Sequence, residues 1–110
     1  MGVIFYCTAS GRSPVRKFLE ALPEQTRLEV FDAINLLEQG KTLSMPLSRN
    51  LSNIKPGLHE LRFRDRGGQV RVIYHTKKRD GIYLIHAFRK KTQELPKQEL
   101  ELILKRAKEI

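Results

Sequence analysis

Residues 58–88 read LHELRFRDRGGQVRVIYHTKKRDGIYLIHAF, and this stretch decides the fold. Three runs rich in β-branched and aromatic residues, 58–64, 69–75 and 82–88, are separated by turn-forming residues at 67–68 and 79–81. Such composition and spacing predict a three-stranded antiparallel meander.

The chain before the meander predicts one strand and a pair of helices. Residues 3–7 form a short apolar run typical of a strand, in which Cys7 is predicted to be buried. Ser13 and Pro14 suit the start of a first helix, because Ser caps free amides and Pro fits the first turn. Apolar residues at helical spacing predict a second helix over 23–39.

The order of these elements predicts an α+β fold with an N-terminal strand, an α-hairpin, the antiparallel meander and a C-terminal helix over 94–109. Residues 41–57 are rich in Pro, Gly and Asn and are predicted to be a loop. The length of 110 residues predicts one domain over 1–110. We expect the helices to cover one sheet face and to leave the other to solvent or a ligand.

The positive charge is concentrated in the second half of the chain. The net charge is +9 and the isoelectric point is about 10.1. Residues 1–55 carry seven Lys or Arg against five Asp or Glu, whereas residues 56–110 carry fourteen against seven. A basic, clustered distribution of this kind favours a nucleic-acid partner, although an acidic protein partner or a merely soluble surface has the same charge.

Strand alternation collects basic residues on one face of the meander. In the first meander strand Arg62 and Arg64 alternate with apolar residues, and in the second Arg71 does the same. Because neighbouring side chains on a strand point to opposite faces, these arginines are predicted to project away from the helices.

The direction of the last meander strand stays open. His86, Phe88 and Lys90 share one face by alternation, but Ile82 and Leu84 fall on that face too. Strands in the centre of a sheet are often apolar on both sides, so alternation does not decide between the two directions.

No familiar catalytic motif occurs, and the lone cysteine and the His spacing do not indicate a metal site. The candidates are cationic. Arg grips phosphate oxygens and stabilises charge on phosphorus, a Lys or His can move the proton of a ribose 2′-hydroxyl, and Phe88 could stack on an unpaired base. On their own, these residues support an RNA-binding α+β domain and permit a nuclease.

The ordered set of GLHELR (57–62), RVIY (71–74) and HAFRKKTQELP (86–96) resembles the phage-derived, toxin-like branch of the RelE/HigB superfamily. The resemblance covers nearly the whole chain and begins at Ser13-Pro14-Val15. It implies the RelE-like microbial RNase fold and a type II toxin that cleaves mRNA in the ribosomal A site. It also implies an endoribonuclease that needs neither metal nor cofactor.

The resemblance also implies roles for individual residues. Where other branches have a tyrosine in the last helix region, this chain has Leu95-Pro96, so the general base stays open between Lys90, Lys91 and His86. The implied catalytic residues are Arg71, Arg62, Lys90, Lys91 and His86, and the implied RNA-binding residues are Arg64, Phe88 and Arg89.

The implied partners are the ribosome, mRNA and a cognate antitoxin, expected to be a helix-turn-helix protein. No apolar run is long enough to span a bilayer and the N-terminus has no signal-peptide pattern, so the expected location is the cytoplasm. Two alternatives remain. One is a ParE-like inhibitor of DNA gyrase, and the other is a non-catalytic module that binds nucleic acid.

Overall fold

A computed structural model of the chain describes residues 2–76, 81–91 and 94–110. Arg79 and Asp80 of the predicted second turn lie outside these ranges. Within them, no helix combines the length and the apolar character needed to cross a membrane. The described elements, in chain order, are β1 (Val3–Phe5), α1 (Pro14–Glu20), α2 (Glu24–Glu38), β2 (Ser48–Asn50), β3 (Leu58–Asp65), β4 (Gly68–His75), β5 (Ile82–Lys90) and α3 (Lys97–Glu109).

The strands form one sheet in the order β1-β5-β4-β3-β2, which confirms the α+β prediction. β3, β4 and β5 make the predicted antiparallel meander, and β1 lies parallel to β5 at one edge.

The opposite edge corrects the prediction of a continuous loop over 41–57. There the three residues of β2 pair antiparallel with β3, with Ser48 opposite Leu61. Ser-Arg-Asn has no strand-like composition, and tertiary contacts hold it. The Ser48 and Tyr74 hydroxyls are 2.6 Å apart, and the amide of Arg62 donates to the carbonyl of Leu47 at 2.9 Å.

Helices α1 and α2 cover the first face of the sheet and form the predicted α-hairpin. Val15 and Leu19 of α1 and Val30 of α2 are almost fully buried against the apolar residues of β3, β4 and β5. The apolar stripe of α2 therefore builds the core, as its 3.6-residue spacing indicates. Gly40 follows the helix with a φ of +83°, a conformation that suits Gly after a helix end.

Helix α3 lies on the second face, so the expectation that all helices share one face is wrong. Ile103 and Ala107 of α3 are buried in a second core with Ile73 of β4 and Ile85 of β5. The amphipathic pattern of α3 indicates that one side of the helix is buried, but it carries no information on which side of the sheet receives it.

A bulge in β5 decides the direction that alternation left open. Ile73 of β4 faces His86, whereas the next residue, Tyr74, faces Leu84, so Ile85 is an extra residue in β5. A bulge shifts alternation by one position. Leu84 therefore belongs to the first core, whereas Ile85 and Phe88 belong to the second core. His86 and Lys90, each two residues from Phe88 along the strand, lie on the second face as well.

Cys7 is exposed, which corrects the prediction of a buried strand residue. β1 ends at Phe5, two residues earlier than the apolar run, and Tyr6 enters the second core instead.

Candidate functional site

Charged side chains from four strands meet on the second face, beside the second core. We call this group the cationic cluster. It comprises Arg49 of β2, Glu60 and Arg62 of β3, Arg71 of β4 and Lys90 of β5. Register places Arg49 directly opposite Glu60 and Arg62 directly opposite Arg71. The sheet therefore collects four cations around one carboxylate. The predicted grouping of Arg62 and Arg71 on one face is found, and Lys90, whose face alternation left open, joins them.

Glu60 lies at the centre of the cluster and is only 2% exposed. Its Oε1 is 3.8 Å from Nε of Arg71 and 3.9 Å from Nε of Arg62. Two like charges opposite each other on neighbouring strands repel. A carboxylate between them offsets that repulsion, so Glu60 makes the close approach of the two arginines possible.

Arg71 is 4% exposed, and its guanidinium is engaged inside the protein. Nη1 donates to the carbonyls of Val70 at 3.2 Å and Phe63 at 3.4 Å, and Nη2 donates to Oε1 of Gln69 at 2.5 Å. Its buried Nε has no hydrogen-bond partner among the residues that the structure describes. Burial lowers the pKa of Arg71, and Glu60 opposes this shift. Arg71 thus supplies fixed positive charge beneath the surface.

Lys90 is 6% exposed at the end of β5, and its environment lowers its pKa from the ordinary value of lysine. Burial is the main cause that lowers its pKa, and Glu60 opposes the shift. The charges of Arg71, Arg49 and Arg62 lower the pKa further. A lysine that loses its proton more readily than usual can accept one from a substrate hydroxyl.

A cleft of about 250 Å³ opens directly beside Lys90 and Glu60. Its floor and walls combine aliphatic, amide and charged groups from β2, the β2–β3 loop, β5 and the segment before α3. The lining residues are Arg49, Leu51, Asn53, Ile54, Glu60, Lys90, Glu94 and Leu95. The cleft gives a ligand access to the buried cluster.

His86 lies beneath α3, and both of its ring nitrogens have partners. Nε2 is 2.9 Å from Oε2 of Glu99, and Nη1 of Arg106 donates to Nδ1 at 3.0 Å. Burial lowers the pKa of His86, Glu99 opposes this and the charge of Arg106 adds to it. Phe88 is also buried and stacks on His86 with ring centroids 5.2 Å apart. The two rings help to seat α3 on the sheet.

Arg89 points to the side of the sheet away from the cluster and forms a bidentate ion pair. Its Nη1 and Nη2 donate to the carboxylate of Asp65 at 2.7 and 3.1 Å. The hydrogen bond from Arg89 is the main cause that lowers the pKa of Asp65 to about 2. Thr26 of α2 donates to the same carboxylate at 3.0 Å. This pair joins α2, β3 and β5.

Arg64 and Lys91 are both exposed. The charge of Arg64 helps to lower the pKa of Arg71. Sequence reasoning missed Glu60 and Arg49 as members of the site. The sequence does contain a signal for Glu60. Glu60 and Arg62 are two residues apart on one strand and therefore point to the same face, whereas Leu61 between them points to the other. Arg49 had no such signal, since the strand that carries it has no strand-like pattern.

Comparison with known proteins identifies a family. The model of the phage-derived Gp49-like proteins (DUF891), a toxin-like family of toxin–antitoxin systems, matches residues 17–108. No curated protein matches the chain. The matched range includes every member of the cationic cluster and extends from α1 almost to the end of α3. This chain belongs to the family of Gp49-like phage-derived proteins.

Proposed function

We propose that this protein is the toxin of a type II toxin–antitoxin pair and a metal-independent endoribonuclease that cleaves mRNA on the ribosome. The observation that carries the proposal is Lys90, a lysine with a lowered pKa among three arginines beside an open cleft. The family supports a toxin with an antitoxin partner, and the net charge of +9 supports a nucleic-acid substrate.

In the proposed reaction the ribose 2′-oxygen attacks the adjacent 3′-phosphorus. The new bond is O2′–P, and the bond that breaks joins phosphorus to the 5′-oxygen of the next nucleotide. The neutral amine of Lys90 takes the 2′-hydroxyl proton, and the departing 5′-oxygen takes a proton from water or from the lysine. The products are a 2′,3′-cyclic phosphate and a 5′-hydroxyl.

The remaining members of the cluster stabilise charge. Arg62, with a side chain 28% exposed, and Arg49, which is exposed, can donate to the phosphate oxygens as negative charge develops. Arg71 and Glu60 act as positioning residues, because both are buried, Glu60 contacts Arg62, and Arg71 contacts Glu60.

Among the three proposed bases, the surroundings favour Lys90 over Lys91 and His86. Lys91 is exposed, and both nitrogens of His86 are engaged beneath α3. We also propose a helix-turn-helix antitoxin that covers the cationic cluster, and a cytoplasmic location, where the ribosomes are.

The test adds the purified protein to a translation reaction and maps the ends of the mRNA. We expect codon-associated cuts, and a loss of at least about 100-fold in Lys90→Met, the order that a general base contributes. The matched control is Lys17→Met, which removes an exposed lysine of α1 and leaves cleavage unchanged.

Intact mRNA with the wild-type protein overturns the proposal. If gyrase is then inhibited in a supercoiling assay, the protein belongs with the ParE-like inhibitors. If RNA is bound with steep salt dependence and left intact, it is a binding module.

A further inference from the structure

We propose that the cleft lined by Leu51, Ile54 and Leu95 is a nucleobase subsite, which receives the unpaired base next to the phosphate held by the cationic cluster. The ligand class is a single-stranded nucleotide, with its phosphate at Arg49 and Arg62 and its base in the cleft. This inference rests on the proposed function and adds a specificity determinant to it.

The size and the walls of the cleft suit one base. Its volume of about 250 Å³ lies just below the range of roughly 300–1,000 Å³ typical of pockets for drug-sized ligands. The walls from Leu51, Ile54 and Leu95 are aliphatic and can pack against the face of a base. Sequence-specific RNA recognition takes hold of unpaired bases in this way, by contact with the face and hydrogen bonds to the edge.

Asn53 supplies the edge contact. It is exposed and lines the cleft, and its amide offers both a donor and an acceptor. Amide side chains pair in bidentate fashion with a base edge that presents a donor beside an acceptor, as adenine does. A carboxylate at Glu94 lines the same cleft and adds an acceptor.

The loop that forms the cleft is held in place before a ligand arrives. The amide of Leu51 donates to the carbonyl of Leu58 at 2.9 Å, and the amide of Ser52 donates to Oδ1 of Asn50 at 2.7 Å. The amides of Ile54 and Lys55 both donate to the carbonyl of Leu51. A preorganised loop loses little conformational entropy on binding. Most of the free energy of its contacts with a base therefore contributes to affinity.

The cleft and the cluster share side chains. Lys90, Glu60 and Arg49 line the cleft and belong to the cluster. A base in the cleft therefore has its own phosphate, or the next one, within the reach of Arg49, with Lys90 beside it. That arrangement couples the identity of the base to the position of the cut.

The test measures binding of 3′-nucleoside monophosphates and of ribose phosphate to the full chain by amide NMR. We expect the best nucleotide to bind roughly tenfold tighter than ribose phosphate, the order expected for one contacted base. The shifted amides should lie in 51–55 and at Lys90. Asn53→Ala should reduce the tenfold advantage to about twofold or less without changing the affinity for ribose phosphate. The control Asn35→Ala, at an exposed position on α2, should change neither.

Equal affinity for nucleotides and ribose phosphate overturns the inference, as does an advantage that survives Asn53→Ala or amide shifts confined to other surfaces. Cut sites provide a second measurement, in which Asn53→Ala should lower cleavage beside the preferred base most and so flatten the base preference beside the cut. If the wild-type protein cuts no RNA, the proposed function fails, whereas the NMR comparison still decides whether the cleft binds a base.

Discussion

Nε of Arg71 lies 3.8 Å from Oε1 of Glu60 on the neighbouring strand, and both side chains are at least 95% buried. If Arg71 is removed, Glu60 loses its most deeply buried partner but keeps Arg62, whose Nε is 3.9 Å away. We expect Arg71→Met to lower the free energy of unfolding by about 3 kcal/mol, the lower end of the cost of breaking a buried ion pair, because Arg62 still compensates part of the charge. Urea unfolding monitored by circular dichroism measures this loss.

A double variant separates the stability of this pair from its role in function. Replacing both partners, as in Arg71→Met with Glu60→Leu, should recover most of the lost stability. Two apolar side chains pack against each other, whereas the single variant leaves a buried charge without its most deeply buried partner. Cleavage by the double variant should stay at least tenfold below wild type, because two of the charges that act on the pKa of Lys90 have been removed. A double variant as active as the wild type would show that Arg71 serves folding alone.

Glu60→Gln should move the pH dependence of cleavage. Burial lowers the pKa of Lys90 and the carboxylate of Glu60 raises it. A lysine base works only when neutral, so the rate falls as the pH drops below its pKa. Without the carboxylate the pKa is lower still, and the acid limb of the pH–rate profile should shift to lower pH. An unmoved acid limb would show that Lys90 is not the titrating base. Activity lost at every pH, as in Lys90→Met, would indicate that Glu60 itself accepts the proton.

Arg62→Ala tests a phosphate contact. The side chain of Arg62 is 28% exposed, so its ion pair with Glu60 contributes at most about 1 kcal/mol to stability. RNA binding should weaken for all sequences, and the slope of log affinity against log salt should fall by about one unit. Fluorescence anisotropy with a non-cleavable 2′-O-methyl RNA measures both. The matched control is Arg12→Ala, at an exposed position before α1, which should leave the slope unchanged.

The ion pair between Asp65 and Arg89 should make stability depend on pH. The pKa of Asp65 is lowered from 3.8 to about 2, first by the hydrogen bond from Arg89. A lowered carboxyl pKa stabilises the fold above the unfolded value and loses that effect as the pH falls through the folded value. Asp65→Asn should therefore melt below wild type at pH 5–7, and the two curves should converge as the pH drops from 3.8 towards 2. If the difference in melting temperature between the two proteins stayed constant with pH, the carboxylate charge of Asp65 would contribute nothing to stability.

The second core should depend on α3. Ile103 is 1% exposed, whereas its neighbour Leu102 is 37% exposed. Ile103→Ala should cost about 2–5 kcal/mol, as truncation of a buried aliphatic side chain does, and Leu102→Ala should stay within about 1 kcal/mol of wild type. Thermal melts of both variants make the comparison. Equal effects at the two positions would contradict the burial of α3 against the second face.

Local sequence patterns predicted the three long strands, the two helices of the hairpin and the last helix, because periodicity along one element shows which of its residues are buried. The same alternation put Arg62 and Arg71 on one face of neighbouring strands, and the order of motifs led to a toxin-like family.

Tertiary structure decided what local patterns do not encode. The bulge at Ile85 reverses the alternation of β5, and β2 exists only because Ser48 and Leu47 find partners on β4 and β3. An amphipathic helix is equally satisfied on either face of a sheet, so only packing puts α3 over His86. Arg71, which alternation predicts to project away from the helices, is likewise buried beside Glu60, because neighbouring elements cover this part of the second face. Burial depends on what neighbouring elements cover, and a single strand carries no record of that.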